Sequence, residues 1–236
     1  MRRYDIVYIL KQNVRPEEIR YSLRSIEKNF TYKDVWFYCG KPEGITPDHY
    51  VPHRQDGATK WQRARSSLIQ ICKNDEISDK FWLFNDDFYI LQRVTKETQY
   101  HRGLLKDHYL DVEKRHNGHT AYTNQLRACE EQLKDAGLTT LDYALHVPIL
   151  VDKKKMLETL KMFPRCPMFR SLYGNYAGIG GEYHEDHKIA APTGKPRDGE
   201  MFLSSSDKGF PAVKDYLDQL FPDPCKYEDN EDESEE

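Results

Sequence analysis

Lys80-Phe-Trp-Leu-Phe-Asn-Asp-Asp-Phe88 is an apolar run closed at its carboxyl end by two adjacent acids. A run with no polar alternation is expected of a strand covered on both faces by helices, as in a parallel sheet. The chain before it supports that reading. Asp5-Ile-Val-Tyr-Ile-Leu10 is a second apolar, β-branched run, and Pro16-Glu-Glu then opens a helix that carries Ile19, Leu23 and Ile26 on one face. Asp34-Val-Trp-Phe-Tyr-Cys39 follows, ended by Gly40 and Pro42. Strand, helix and strand at this spacing predict a parallel pair joined by a right-handed crossover. Thr59 opens another helix, with Trp61, Ala64, Leu68 and Ile71 inward, before the quoted run. The class is therefore α/β: a single Rossmann-type domain with a mostly parallel central sheet flanked by helices.

Beyond Phe88 the pattern is weaker. Thr95 to Arg115 reads as helix or loop, and Tyr122, Leu126, Cys129 and Leu133 mark a helix that stops at Gly137. A strand is expected over Tyr143 to Leu145, before His146 and Pro148, and Asp152 then caps a helix with Met156, Leu157 and Leu160. Gly174 to Gly181 reads as a glycine-rich loop and Tyr183 to Asp198 as irregular. Met201 to Ser204 reads as a late strand and Phe210 to Phe221 as a last helix.

The 236 residues suit one domain, and 16 Tyr, 10 Phe and 3 Trp exclude wholesale disorder. The last nine residues, Glu228 to Glu236, hold seven acids and predict a disordered acidic tail after a domain spanning 1–227. Without them the chain has 35 basic and 32 acidic side chains, a balance that gives no support to broad nucleic-acid binding. Cys39, Cys72, Cys129, Cys166 and Cys225 include no Cys-x-x-Cys pair and read as reduced thiols. No apolar run reaches the ~20 residues of a membrane span. A soluble, cytoplasmic protein is expected.

Ligands of open α/β sheets bind at the carboxyl ends of strands. Asp86 and Asp87 stand at such an end, where Mg²⁺ or Mn²⁺ carrying a diphosphate would offset their charge. On the motif alone they equally make a turn or a cap. Lys11, Arg20, Lys60 and Asn85 are candidate substrate-binding residues, with Arg24 and Arg63 as further candidates for phosphate. Each of these basic residues alone also reads as a solvated face. His146 can serve as a general base or as a packed histidine. Gly178-Ile-Gly-Gly181 lacks the flanking strand and helix of a dinucleotide fingerprint. His184-Glu-Asp-His187 has metal-ligand residue types in a polar stretch where solvated histidines are the ordinary outcome.

Together these segments resemble a known family. Asp5-Ile-Val-Tyr8, Ile19 to Glu27 and Glu76 to Phe88 are similar to the first two regions of the Stealth sugar-phosphate transferases. His146-Val-Pro148, Asp152, Met156, Phe163-Pro164 and Arg170 resemble the third. Short chains of this kind also look like glycosyltransferases encoded by bacteriophages. The resemblance implies a GT-A-like nucleotide-sugar-binding fold, a nucleotide sugar as donor, metal at Asp86 and Asp87, and catalytic roles for His146, Asp87 and Arg170. Arg170 would steady a transferring phosphate or the leaving diphosphate, and the cell would be a bacterium or a phage-infected host. Ile9-Leu-Lys-Gln-Asn13 departs from the family's Trp-Val-Asp/Asn-Gly segment, and a fourth region is not placed. Three functions stay open: glycosyl transfer to a hydroxyl of a glycan, polymer or modified nucleobase; sugar-1-phosphate transfer; and non-catalytic glycan binding or assembly on a transferase fold.

Overall fold

A computed structural model describes residues 2–54 and 56–229. In chain order its elements are β1 (Asp5–Leu10), α1 (Pro16–Asn29), β2 (Val35–Cys39), β3 (His49–Val51), α2 (Lys60–Lys73), β4 (Lys80–Phe84), β5 (Phe88–Ile90), β6 (Tyr100–His101), α3 (Leu105–His116), α4 (Ala121–Asp135), β7 (Ile149–Asp152), α5 (Lys153–Met162), α6 (Phe169–Ala177), β8 (Glu182–Tyr183), β9 (Lys188–Ile189), β10 (Phe202–Ser205) and α7 (Phe210–Leu220).

The central sheet has the order β3-β2-β1-β4-β7, parallel throughout except for β7, which runs antiparallel to β4. Tyr8 sits in register with Phe37 on one side and Phe84 on the other. Alternate residues of β1 go to opposite faces. Ile6, Tyr8 and Leu10 pack with Ile19, Leu23 and Ile26 of α1, whereas Val7 packs with Leu68 and Ile71 of α2 and Met156 of α5. That division explains the unbroken apolar runs: β1, β2 and β4 are covered on both faces.

The helix starts are set locally. Pro16 occupies the first turn of α1 with Glu17 and Glu18, and Thr59 and Gln62 form a reciprocal capping box on α2. Asp152 caps α5 by accepting from the Lys155 N–H. At the end of β2, a Cβ on Gly40 would lie 1.9 Å from the Lys11 carbonyl oxygen, so glycine lets the loop after β1 close onto the sheet.

A smaller sheet, β5-β10-β9, adjoins the first. It shares a core of Tyr89, Leu203, Val213 and Leu217 with α7 and with Tyr21 of α1. The pair α3 and α4 has its own core of Leu105, Tyr109, Leu126, Cys129 and Leu133. All five cysteines are buried, and none forms a disulfide among the described residues. Among the described residues no helix is long and apolar enough to cross a membrane.

Three expectations are corrected. Tyr143 to Leu145 is not a strand: Asp142 accepts from the Ala144 N–H and the Ser171 hydroxyl, and these bonds fold the segment away from an extended ladder. The strand comes four residues later, as β7. Gly174 to Gly181 is not all loop, since α6 runs through Gly174 to Ala177. A Cβ at Gly174 would lie 2.3 Å from the Tyr143 ring, so this glycine serves close packing of a helix. Glu228 is not tail either. It is half-buried, accepts from Arg24 Nε at 2.6 Å and Nη2 at 2.7 Å, and bridges to Ile45. The predicted tail from 230 onward lies outside the described residues.

Candidate active site

The turn Asn85 to Asp87 joins the two sheets, leaving β4 and entering β5 through a bond from the Phe88 N–H to the Asn85 carbonyl. Its acids therefore stand at the carboxyl end of β4, and Asp87 faces β9 and β10. Asp87 Oδ2 accepts from Lys188 Nζ at 2.8 Å and from the Ser204 hydroxyl at 3.2 Å. Asp87 Oδ1 is buried with no hydrogen-bond partner among the described residues.

Two more acids converge here. Glu18, in the first turn of α1, accepts from Ser205 at 3.0 Å, and Asp207 follows the end of β10. Burial, outweighing the Ser205 bond, and the charges of Asp86, Asp87 and Asp207 push the Glu18 carboxyl up to about 7. Burial and the neighbouring Asp87 likewise raise Asp86. Desolvation and like charge act in the same direction because each disfavours the ionised form.

These acids line a cleft of about 290 Å³ together with Lys11, Lys60, Asn85, His146 and Lys188. A second chamber of about 330 Å³ shares Lys11, Glu18, Asp86 and Asp207 and extends to Asn13, Val14, Arg15, Phe210 and Lys214. Six residues selected from sequence thus meet in one cleft: Lys11, Lys60, Asn85, Asp86, Asp87 and His146.

His146 lies just before β7, and Asp186 fixes it. Its backbone N–H donates to Asp186 Oδ1 at 2.9 Å, and its Nδ1 lies 2.9 Å from Oδ2. Burial pushes Asp186 up, but the hydrogen bonds and charge of His146, with Arg102 beyond, outweigh it and leave Asp186 below the usual carboxylate range. A carboxylate on Nδ1 orients the ring and reserves Nε2 for proton transfer. Among the described residues Nε2 makes no hydrogen bond.

Arg170 and Arg20 do not reach this cleft. The Arg170 guanidinium donates to the carbonyls of Tyr143, at 3.2 Å, and Val147, and lies 5.7 Å over the Phe88 ring. It clamps the backbone on both sides of His146 instead of facing a phosphate, and burial lowers it to about 10. Arg20 turns toward Glu228, 3.7 Å away, and Arg24 shares that carboxylate. Arg63 donates to the carbonyls of Gly57 and Ala58.

Sequence reasoning missed Glu18, Asp186, Lys188 and Asp207. Asp207 had a usable signal, an acid directly after a late apolar strand, as at Asp86. Asp186 lay within the His184 to His187 stretch, where the structure gives the histidines separate partners: His184 faces the Glu185 carbonyl and His187 faces Glu200.

The cleft fits a divalent cation in one respect that the coordinates test. Asp87 Oδ1 is a buried carboxylate oxygen without a donor, next to a second carboxylate raised by the same crowding. Among the described residues no group of three or more His, Cys, Asp or Glu side chains converges to hold a metal. Asp86 and Asp87 would therefore leave the remaining ligand positions to diphosphate and water.

No protein-family model and no curated protein matches the chain. Among solved structures, the galactosyltransferase LgtC in complex with donor and acceptor sugar analogues aligns over 94% of this chain and 96% of its own, with TM-score 0.50 and 9% identity. An active-site mutant of LgtC aligns over 92% and 94%, with TM-score 0.48 and 9% identity. At this identity the likeness is one of fold: the chain has a GT-A-like α/β architecture.

Proposed function

We propose that the chain is a glycosyltransferase that moves a sugar from a nucleotide-sugar donor to an acceptor hydroxyl, with Mg²⁺ or Mn²⁺ at Asp86 and Asp87. One observation carries the reading: a strand-end carboxylate pair and an oriented His146–Asp186 dyad line the same cleft. Fold likeness alone would not suffice, because one fold hosts many functions.

Lys11, Lys60 and Lys188 supply positive charge for the donor's diphosphate, and the adjoining chamber has room for the rest of the nucleotide. His146 Nε2 accepts the proton of the acceptor hydroxyl as its oxygen bonds to the anomeric carbon. The bond from that carbon to the diphosphate breaks, and its electron pair leaves with the nucleoside diphosphate. Asp86 and Asp87 would hold the cation, which when bound would offset charge on that leaving group. Sugar-1-phosphate transfer is the less supported reading, because Arg170 and Arg20, the two arginines expected to meet a transferring phosphoryl group, face elsewhere.

The test is thermal stabilisation by nucleoside diphosphates and nucleotide sugars, with Mn²⁺ and with chelator, followed by release of nucleoside diphosphate in the presence of acceptors. Stabilisation that needs the cation supports the reading. Equal stabilisation in chelator refutes the metal assignment, and the absence of any nucleotide effect refutes the donor.

A further inference from the structure

His146 stands at the edge of the donor cleft, and the surface beyond it has a different character. Asp186, which holds His146, is approached by Arg102 Nη1 at 3.6 Å. Arg102 follows β6, which pairs in parallel with β8, Tyr100 opposite Glu182 and His101 opposite Tyr183. Rings support this two-stranded ribbon. Tyr100 lies 5.1 Å from His184 and 5.4 Å from Phe202, and His184 lies 5.6 Å from Phe202.

Tyr183 projects from that support 64% exposed, the most exposed large hydrophobic side chain among the described residues. Gly103 lies beside its ring: a Cβ there would stand 3.9 Å away, an ordinary contact. Tyr122, at the start of α4, is 39% exposed and sets its ring edge-on to His108 at 5.6 Å. Burial raises its hydroxyl, with the charges of Asp142 and Asp186 acting the same way and that of Arg102 against them, and His108 beside its ring is itself bonded to Asp142. An exposed tyrosine on a rigid support offers broad amphipathic contact at low entropic cost, and Arg and Asp beside it offer hydrogen bonds of fixed direction.

The net charge of the patch discriminates between occupants. Glu182, Glu185 and Asp186 accompany Arg102, and Arg197 is engaged by Glu185 at 2.9 Å. Such a surface repels a phosphate backbone, which binds where basic side chains are in excess. We infer that Tyr183 and Tyr122, with Arg102 and Asp186 beside them, form the acceptor subsite, and that it takes a sugar ring of a neutral glycan. The role as acceptor rests on the transferase reading above; the binding of a sugar ring does not.

Tyr183→Trp supplies a reporter at an exposed position, read as the difference in emission from the wild type. Titrated with short neutral α- and β-linked oligosaccharides, it should change saturably, and a single-stranded oligodeoxynucleotide should leave it unchanged. Tyr183→Ala should raise the acceptor KM by about 5- to 10-fold, the loss of one ring contact, with donor KM and donor hydrolysis unaltered. Tyr183→Phe should restore it. Saturation by the oligodeoxynucleotide, no response to any oligosaccharide, or equal acceptor KM in Tyr183→Ala and wild type overturns the inference. Nucleoside diphosphate stabilisation is measured separately on the same proteins. Its absence while oligosaccharides still bind refutes the transferase and leaves the sugar site standing.

Discussion

Replacing Glu18 by Gln should stabilise the protein near neutral and alkaline pH and have little effect in acid. The Glu18 carboxyl is raised from an ordinary 4.5 to about 7, by burial first and then by Asp86, Asp87 and Asp207. A raised carboxyl means that the folded state holds the proton more tightly than the unfolded state. Between those two values the folded chain binds more protons, so stability falls as pH rises through the window and stays lower above it. The gap corresponds to about 3.4 kcal/mol, and because Glu18 is only partly buried, solvent screening reduces the expected effect to about 1–2 kcal/mol. Gln keeps an acceptor for the Ser205 hydroxyl while removing the charge. In chelator, the melting temperature of Glu18→Gln should exceed that of the wild type by about 2–8 °C at about pH 8, with most of the gain gone at about pH 5. An equal gain at both pH values would refute the electrostatic reasoning and point to packing. No gain at about pH 8 would show that the four acids do not repel one another.

The other predictions separate roles within the cleft. His146→Ala should lower transfer by about 100- to 10,000-fold while nucleoside diphosphate affinity, read by calorimetry, stays within about twofold; full turnover would leave His146 a packed residue. Asp87→Asn retains an acceptor for Lys188 and Ser204, so it should keep its fold by circular dichroism and lose the Mn²⁺-dependent stabilisation by nucleotide. Glu228→Ala leaves Arg24 without its two carboxylate bonds and should cost about 1–2 kcal/mol in urea unfolding, with steady-state kinetics unchanged.

How much of this was legible in the sequence follows from where each feature is decided. β1, α1, β2, α2 and β4 come from long periodic runs and start at local signals such as Pro16 and Thr59. Because strand ends and helix starts of such a sheet gather on one edge, Lys11, Lys60, Asn85 and the two aspartates could be placed together before any coordinates. β5, β8 and β9 are two or three residues long, and their pairing partners are remote in sequence, as Leu203 is to Tyr89. No local pattern specifies them. The arginines failed for another reason. Arg20 and Arg24, four residues apart, share one face of α1, and the direction of that face is set by Glu228, more than 200 residues away in sequence for Arg24. Sequence supplied the charge but not its orientation.

The carboxylates of the cleft contrast with those that surround His146. Asp142 accepts from Ala144, Ser171 and His108, so both of its oxygens are occupied. Asp186 is held by the main chain and ring of His146 and by Arg102. In the cleft the same chemistry is left incomplete: Asp87 keeps a buried oxygen without a donor among the described residues, and burial with like charge raises both Asp86 and Glu18. Asp5 Oδ1 is also buried without a hydrogen-bond partner among the described residues, but Lys33 Nζ stands 3.6 Å from that oxygen. Leaving the cleft acids short of positive charge lowers the stability of the free protein and raises its affinity for whatever brings that charge, and among the available ligands a divalent cation bound to a diphosphate meets both the acids and Lys11, Lys60 and Lys188.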